Sequence, residues 1–482
     1  MKVNPHIFRG YDLRGLVDGD LSPELALHIG KAHGTYLKRL GQTKAVIGRD
    51  SRETSPIYSQ RAIEGLIWTG LDVVDIGMQM IGIFYWAQHQ LKIPGGVFVT
   101  ASHNPPQFNG FKLANNYSET LVSDGMQTIR KMVEDEDYER GAKSGSVSKE
   151  NIRPAYYKDV LGRVKINRQL KVMVDASNTS SGEIIPELIK RAGCEVVEYN
   201  TKVEPSFPLG AADPTETHIM DRMRGEMAEC QADVGFTYDA DGDRIGIIDE
   251  KGNPVWNDML VALFATDVLN VHPGAKIMFN TLCSKAVAET IKAHGGEPFM
   301  WRTGHSFLKK KNQTVKAAFI GELSGHFFFS TDFYNHDDGA YATLRLLQAM
   351  GRTDKTLSGM VAALPYYKSS PEIKVFCPDD KKVKLMNELA QKLRKDFPEA
   401  EVIDDKRAGD GVRLELPDSM FVIRYSQNGP YITIKFEAKT DKEYEQLRGY
   451  IAETLHSHSE IDWKSSISTN IGALDPSAKR PR

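Results

Sequence analysis

Three times along this chain a short apolar run gives way to a turn of small or polar residues and then to a segment with helical spacing. Residues 45–47, 172–174 and 277–279 are the runs; helices follow from Ser55 and over 184–192 and 284–294. A strand that feeds a helix lets that helix pack back on its own sheet, so the alternation predicts layered α/β modules. Its recurrence points to one kind of unit used three times. In the first unit, Leu25, Ile29, Ala32, Tyr36 and Leu40 share one face of a helix that Ser22 and Pro23 open and Gly41 ends. From about residue 369 the texture changes. Residues 412–416, 421–425 and 431–436 read as successive strands between helices at 382–397 and 444–455, the pattern of a separate α+β module. With 482 residues and roughly 100–200 residues per domain, the expected division is 1–150, 151–256, 257–368 and 369–482. Residues 144–149, with Arg153 and Pro154, read as a linker, and the polar stretch 462–482 as a mobile tail.

Composition narrows the partners. The chain carries 61 basic against 64 acidic residues, a net charge of −3, so neither nucleic acid nor a membrane surface is expected as a partner. No run reaches the ~18 apolar residues of a membrane span, and residues 1–15 hold no signal-peptide core. Cys194, Cys230, Cys283 and Cys377 lie far apart, as expected for reduced thiols in the cytoplasm.

One strand end stands out. Residues 97–99 are apolar, and Thr100, Ala101, Ser102, His103, Asn104, Pro105 and Pro106 follow at once. The prolines lack donors and cannot continue a ladder. Ser102 is therefore expected on a tight loop past a strand end, where open α/β sheets bind ligands. A serine there is either a nucleophile or phosphoryl carrier, or part of a plain Ser/Asn/Pro turn. Lys112 follows closely in Asn109-Gly110-Phe111-Lys112, a cation for a phosphate or an acid, or a surface lysine.

A second loop, Asp239-Ala240-Asp241-Gly242-Asp243-Arg244, brings three carboxylates together. They repel one another unless a hard divalent cation neutralises them, which points to Mg²⁺ completed by an oxygen from elsewhere. An EF-hand needs glycine where Arg244 stands, and helices where 233–237 and 245–248 read as strands. A β-loop-β metal site is the better reading.

Five further loops carry polar groups. Phe8-Arg9-Gly10-Tyr11-Asp12-Leu13-Arg14-Gly15 sets arginines between glycines, suited to phosphate. Gly48-Arg49-Asp50-Ser51-Arg52 is a polar loop at another strand end. Glu322, Ser324 and His326 follow the apolar run 315–320, and His305 lies on a loop after Trp301. These groups can bind sugar hydroxyls or move a proton. Arg424, Ser426, Gln427, Asn428 and Gly429 make a turn that can cradle phosphate.

In this order the set resembles the α-D-phosphohexomutases over nearly the whole chain, nearest their phosphomannomutase/phosphoglucomutase branch. The resemblance implies four domains around a cleft: three similar mixed α/β domains and a C-terminal α+β domain. It implies that Ser102 is carried as phosphoserine and that Mg²⁺ is held by Asp239, Asp241, Asp243 and the Ser102 group. The reaction would move phosphate between O1 and O6 of a hexose through a hexose 1,6-bisphosphate, which also serves as activator. Lys112, His305 and Arg244 would assist at the reacting group. Tyr11, Arg14, Glu322, Ser324, His326, Arg424, Ser426 and Asn428 would bind substrate. A phosphoglucosamine mutase of the same fold and a non-catalytic sugar-phosphate or metal-binding scaffold are the alternatives. The expected state is a monomer or dimer. Three positions depart from the usual family pattern: Ile81-Gly82, Gln427-Asn428 and Ala176-Ser177-Asn178.

Overall fold

A computed structural model of the chain describes residues 1–427, 429–465 and 467–476. It divides into two compact units. One holds Met1–Pro214, Ile219–Pro254 and Gly325–Ser358; the other holds Thr215–His218, Val255–Ser324 and the chain from Gly359 on.

The first unit contains two sheets. One runs in the order Leu13–Leu16, Phe108–Asn116, Gly96–Val99, Lys44–Arg49, Asp72–Met78, Val147–Lys149. Gly96–Val99 is parallel to Lys44–Arg49 and antiparallel to Phe108–Asn116. Its alternation explains its place at the centre. Val97 and Val99 join the core beneath helices Pro23–Arg39, Ser55–Trp68 and Asp124–Asp135. Phe98 points the other way and meets Phe84 of helix Ile81–Leu91, ring centroids 5.4 Å apart. The stretch read as a linker is not free chain: Val147–Lys149 pairs with Asp72–Met78 as an edge strand, and Arg153–Gly162 is a helix.

The other sheet runs Ile245–Asp249, Val234–Tyr238, Lys171–Asp175, Glu195–Tyr199. Val234–Tyr238 and Ile245–Asp249 form an antiparallel hairpin, so the acidic loop joins two strands and not two helices. Glu250, the twelfth residue counted from Asp239, where an EF-hand places its bidentate carboxylate, accepts hydrogen bonds from Ser358 instead.

In the second unit, Lys276–Asn280 lies parallel between Glu297–Trp301 and Phe319–Gly321. The apolar run 315–320 is not one strand. Val315 ends a helix, His305–Val315, and Lys316 turns the chain with φ +57° before the strand starts at Phe319. The C-terminal sheet is antiparallel, in the order Lys368–Ser369, Tyr431–Ala438, Ser419–Tyr425, Gly411–Glu415, Glu401–Ile403. Helices Lys382–Asp396 and Asp441–His456 seal it with Leu385, Leu389, Leu393, Leu447, Ile451 and Leu455. Residues expected to form a mobile tail join the same core. Ile471 and Leu474 are buried in it, and Thr469 bridges to Lys374. Arg413 donates to the carbonyls of Thr281 and Cys283, at 2.6 Å each. The fold class is thus mixed α/β with a fourth, sheet-containing domain. All four cysteines are free thiols, and among the described residues no helix is long and apolar enough to cross a membrane.

Candidate active site

Beyond Thr100, whose N–H pairs with the Gly110 carbonyl, the loop that leaves Gly96–Val99 has no ladder partner, so its polar groups bond within the loop and to the acidic loop. Ser102 N donates to Thr100 Oγ1 (2.8 Å), and Ser102 itself sits at φ +49°, the left-handed region that side chains with a Cβ rarely occupy. That turn aims Ser102 Oγ inward. It donates to Asp239 Oδ2 at 2.8 Å and lies 3.2 Å from His103 Nδ1. Thr100 Oγ1 donates to Asp241 Oδ2 at 3.2 Å.

Asp239, Asp241 and Asp243 are fully buried. Gly242 makes their convergence possible: its φ is +69°, and a Cβ there would stand 2.5 Å from Met80 Cε. The three residues each offer a ligand oxygen, all within 4.8 Å of one another. Lys112 Nζ reaches the cluster from strand Phe108–Asn116, donating to Asp243 Oδ2 at 2.8 Å and lying 3.0 Å from Asp241 Oδ2. Gly110, two residues earlier, lets that strand press against its neighbour; a Cβ would fall 2.0 Å from the Leu13 carbonyl oxygen.

The electrostatics follow from burial. Burial, then the charges of Asp241 and Asp243, hold Asp239 well above the usual carboxylate range. Burial also raises Asp241, but the charge and hydrogen bond of Lys112 outweigh it and leave Asp241 below that range. Burial lowers Lys112, and the two aspartates more than reverse this, so it stays charged. Asp241 Oδ1 and Asp243 Oδ1 accept no hydrogen bond from the described residues. Buried carboxylate oxygens left in that condition fit a hard divalent cation, and an all-carboxylate set favours Mg²⁺-like ions over softer metals.

Arginine and histidine rim this cluster. Arg244 N donates to Asp239 Oδ1 (3.1 Å), and Arg244 Nε donates to His326 Nε2 (3.1 Å). His326 Nδ1 lies 2.8 Å from Asp337 Oδ2. Arg14 Nε donates to Asp12 Oδ2 (2.8 Å) and Arg14 Nη1 to Asn104 Oδ1 (2.9 Å). Tyr11 is an electrostatic neighbour of both Arg14 and Arg244. Ser102, Lys112, Asp239, Asp241, Asp243, Arg244, His326, Arg14 and Tyr11 therefore belong to one unit.

The other sequence-derived residues belong to the second unit. Glu322 is buried, and its Oε1 accepts from Gly304 N at 2.8 Å; Ser324 Oγ donates to Glu322 Oε2 at 3.4 Å. His305 is buried at the first position of a helix, not on a loop as its sequence context predicts. Arg424 is the penultimate residue of strand Ser419–Tyr425 and is held by Asp410, with Nη2 at 2.6 Å and Nε at 3.0 Å from its two oxygens. Lys382 Nζ donates to the Ser426 carbonyl at 2.7 Å and the Gly429 carbonyl at 2.8 Å, which fixes the turn. Asn428 lies outside the described residues.

The sequence assigns no role to Asp50, Arg52 or Asp337, and Asp410 does not stand out in it at all. Asp410 gives no signal because its partner is fourteen residues away in a sheet. Arg52 gives one: its polar loop ends a strand, as the Ser102 loop does.

Models described as phosphoglucomutase/phosphomannomutase α/β/α domains I, II and III match residues 5–140, 154–252 and 256–367. A phosphomannomutase/phosphoglucomutase of Pseudomonas putida is 35% identical over 92% of this chain and 94% of its own. A phosphoglucomutase of Neisseria gonorrhoeae is 33% identical over 96% of this chain and 99% of its own. A solved phosphoglucomutase/phosphomannomutase family protein of Burkholderia thailandensis superposes with a TM-score of 0.86 at 33% identity, covering 95% of this chain and 98% of its own. With three domain models in order and relatives matched nearly end to end, the chain belongs to the phosphoglucomutase/phosphomannomutase family of α-D-phosphohexomutases.

Proposed function

We propose that this hexose-phosphate mutase, an isomerase, works through a phosphoserine at Ser102 and takes mannose and glucose phosphates. In the first half-reaction the O6 hydroxyl of a hexose 1-phosphate attacks the phosphoserine phosphorus. The Ser102 Oγ–P bond breaks, and the product is a hexose 1,6-bisphosphate with a free Ser102. After the bisphosphate turns around, Ser102 Oγ attacks the phosphorus on O1, restoring phosphoserine and releasing hexose 6-phosphate. Added bisphosphate primes chains whose Ser102 is unphosphorylated, which is how it would activate the enzyme.

The observation that carries this reading is Ser102 Oγ at 2.8 Å from Asp239, inside a buried trio of aspartates. Asp239, Asp241 and Asp243 would hold Mg²⁺, which supplies charge neutralisation at the transferring phosphoryl group. Lys112 places a fixed cation beside the same point, and Arg244 orients His326. Phosphoryl transfer needs little more than positioning and charge, and this cluster offers both. In the same reading Glu322 and Ser324 hold sugar hydroxyls, Arg424 and Ser426 grip the phosphate that is not reacting, His305 assists at the reacting group, and Tyr11 and Arg14 bind substrate.

The test is a panel of mannose, glucose and glucosamine 1-phosphates, with and without Mg²⁺ and glucose 1,6-bisphosphate, beside intact-mass analysis for phosphate on Ser102. Turnover of the first two sugars and its loss in Ser102→Ala are expected. A Ser102→Ala protein with full activity refutes the mechanism.

A further inference from the structure

The carbonyl oxygens of the Ser102 loop converge on one buried side chain. Arg52 has five N–H groups in a planar fork, and all five are engaged. Nη2 donates to the carbonyls of Ser102 (2.5 Å) and Asn104 (2.6 Å), and Nη1 to those of Pro105 (2.8 Å) and Phe108 (2.9 Å). Nε donates to Asp50 Oδ2 at 3.0 Å. Asp50 is anchored in turn. Its other oxygen accepts from Arg52 N (3.0 Å) and Ser55 Oγ (2.6 Å), and its own N–H donates to the carbonyl of Val99, the last residue of the strand that carries the loop. The guanidinium lies 5.0 Å from the Phe207 ring centroid, and the side chain is 1% exposed.

This arrangement answers a physical need. The loop contains Pro105 and Pro106, which have no N–H, and a serine held in the left-handed region, a conformation that persists only where its surroundings enforce it. Four inward carbonyls without donors would each cost a desolvation penalty. One guanidinium satisfies all four and ties them to the sheet through Asp50.

We propose that Arg52, with Asp50 behind it, is a positioning residue for phosphoryl transfer: it fixes where Ser102 Oγ stands in both half-reactions. The inference rests on the phosphoserine reading above and adds a residue that touches neither substrate nor metal. It also bears on fidelity. A loop held in one place presents its phosphate to a sugar hydroxyl. A loosened loop admits water, which attacks phosphorus while Ser102 Oγ leaves and takes up a proton, giving free serine and inorganic phosphate.

The test is Arg52→Lys. A lysine has three donors for four carbonyls and a carboxylate, keeps the charge and retains most of the volume. The parent's mutase turnover is measured first. The expected variant is folded by circular dichroism, with kcat down ~100-fold, as a misplacement of about 1 Å causes, and KM for hexose 1-phosphate within about threefold of the parent, since no substrate contact is removed. Its phosphoserine, followed by intact mass, decays to serine and inorganic phosphate faster than the parent's, which a purely structural role would not alter. A folded Arg52→Lys with parental kcat and phosphate lifetime overturns the inference. If Arg52→Lys does not fold, Asp50→Asn takes its place with the same readings and the same overturning result. An inactive parent refutes the mutase reading, whereas an active parent with an indifferent variant refutes only this one.

Discussion

Replacing Lys112 with methionine removes the one ammonium that pairs with Asp241 and Asp243 inside a buried cluster of three carboxyl groups. Lys112 is 2% exposed, and the aspartates it touches are fully buried. Asp241 and Asp243 share one ammonium, at 3.0 and 2.8 Å, so the two contacts count as a single loss. Removing one partner from a buried ion pair costs about 3–5 kcal/mol, because the remaining charge has no solvent. For a unit of about 280 residues, at roughly 2 °C per kcal/mol, the unit's unfolding transition should fall by about 6–10 °C in EDTA. Divalent cations should then narrow the gap. An ion at a hundredfold its dissociation constant contributes about 2.7 kcal/mol to the folded state, and the variant's carboxylates have lost their competing ammonium. Scanning calorimetry of parent and Lys112→Met, each in EDTA and in MgCl₂, reads both effects. An equal deficit in the two buffers refutes the idea that ammonium and metal neutralise the same carboxylates; no deficit in EDTA refutes the pairing itself.

Two further predictions concern other parts of the chain. Arg424→Gln should raise KM for hexose phosphates about 10–100-fold with a smaller change in kcat, because the proposed reading gives this arginine the phosphate that is not reacting; steady-state kinetics showing unchanged KM would refute a phosphate role. His33 is fully buried with Nε2 at 3.1 Å from the Gly96 carbonyl and 3.0 Å from the Ala114 carbonyl, so Nε2 carries the hydrogen and burial lowers its pKa from 6.5 to about 4. Between those values the unfolded chain binds more protons than the native one. Stability from this group is therefore present above pH 6.5 and shrinks as pH falls, by about 3 kcal/mol at pH 4. Urea unfolding from pH 7 to 4 should show a shallower pH slope in His33→Gln than in the parent, and equal slopes would refute the assignment.

Much of this was legible in the sequence because it is local. Residues 97–99 alternate sides of a sheet, and the aspartates at 239, 241 and 243 share one loop with the glycine that lets it curl. A strand end followed by two prolines has few conformations open to it, so the Ser102 loop could be placed without coordinates. Where local signals competed, the reading slipped. Residues 315–320 are apolar enough for a strand, but 305–315 had already formed a helix, and Lys316 spends its backbone on ending it. Residues 147–149 look like linker because an edge strand with exposed side chains leaves no hydrophobic pattern.

Chain chemistry by itself determined the module order, the seryl loop and the carboxylate trio, since each is written in neighbouring residues whose backbone options are few. Only the tertiary structure decided which distant groups meet: Ser102 with Asp239 across 137 positions, Lys112 with Asp243 across 131, and Arg52 with four carbonyls some fifty residues ahead. Those meetings depend on how strands from separate stretches are ordered within the unit's sheets, and strand order is set by burial of whole faces, to which no single loop's residues bear witness.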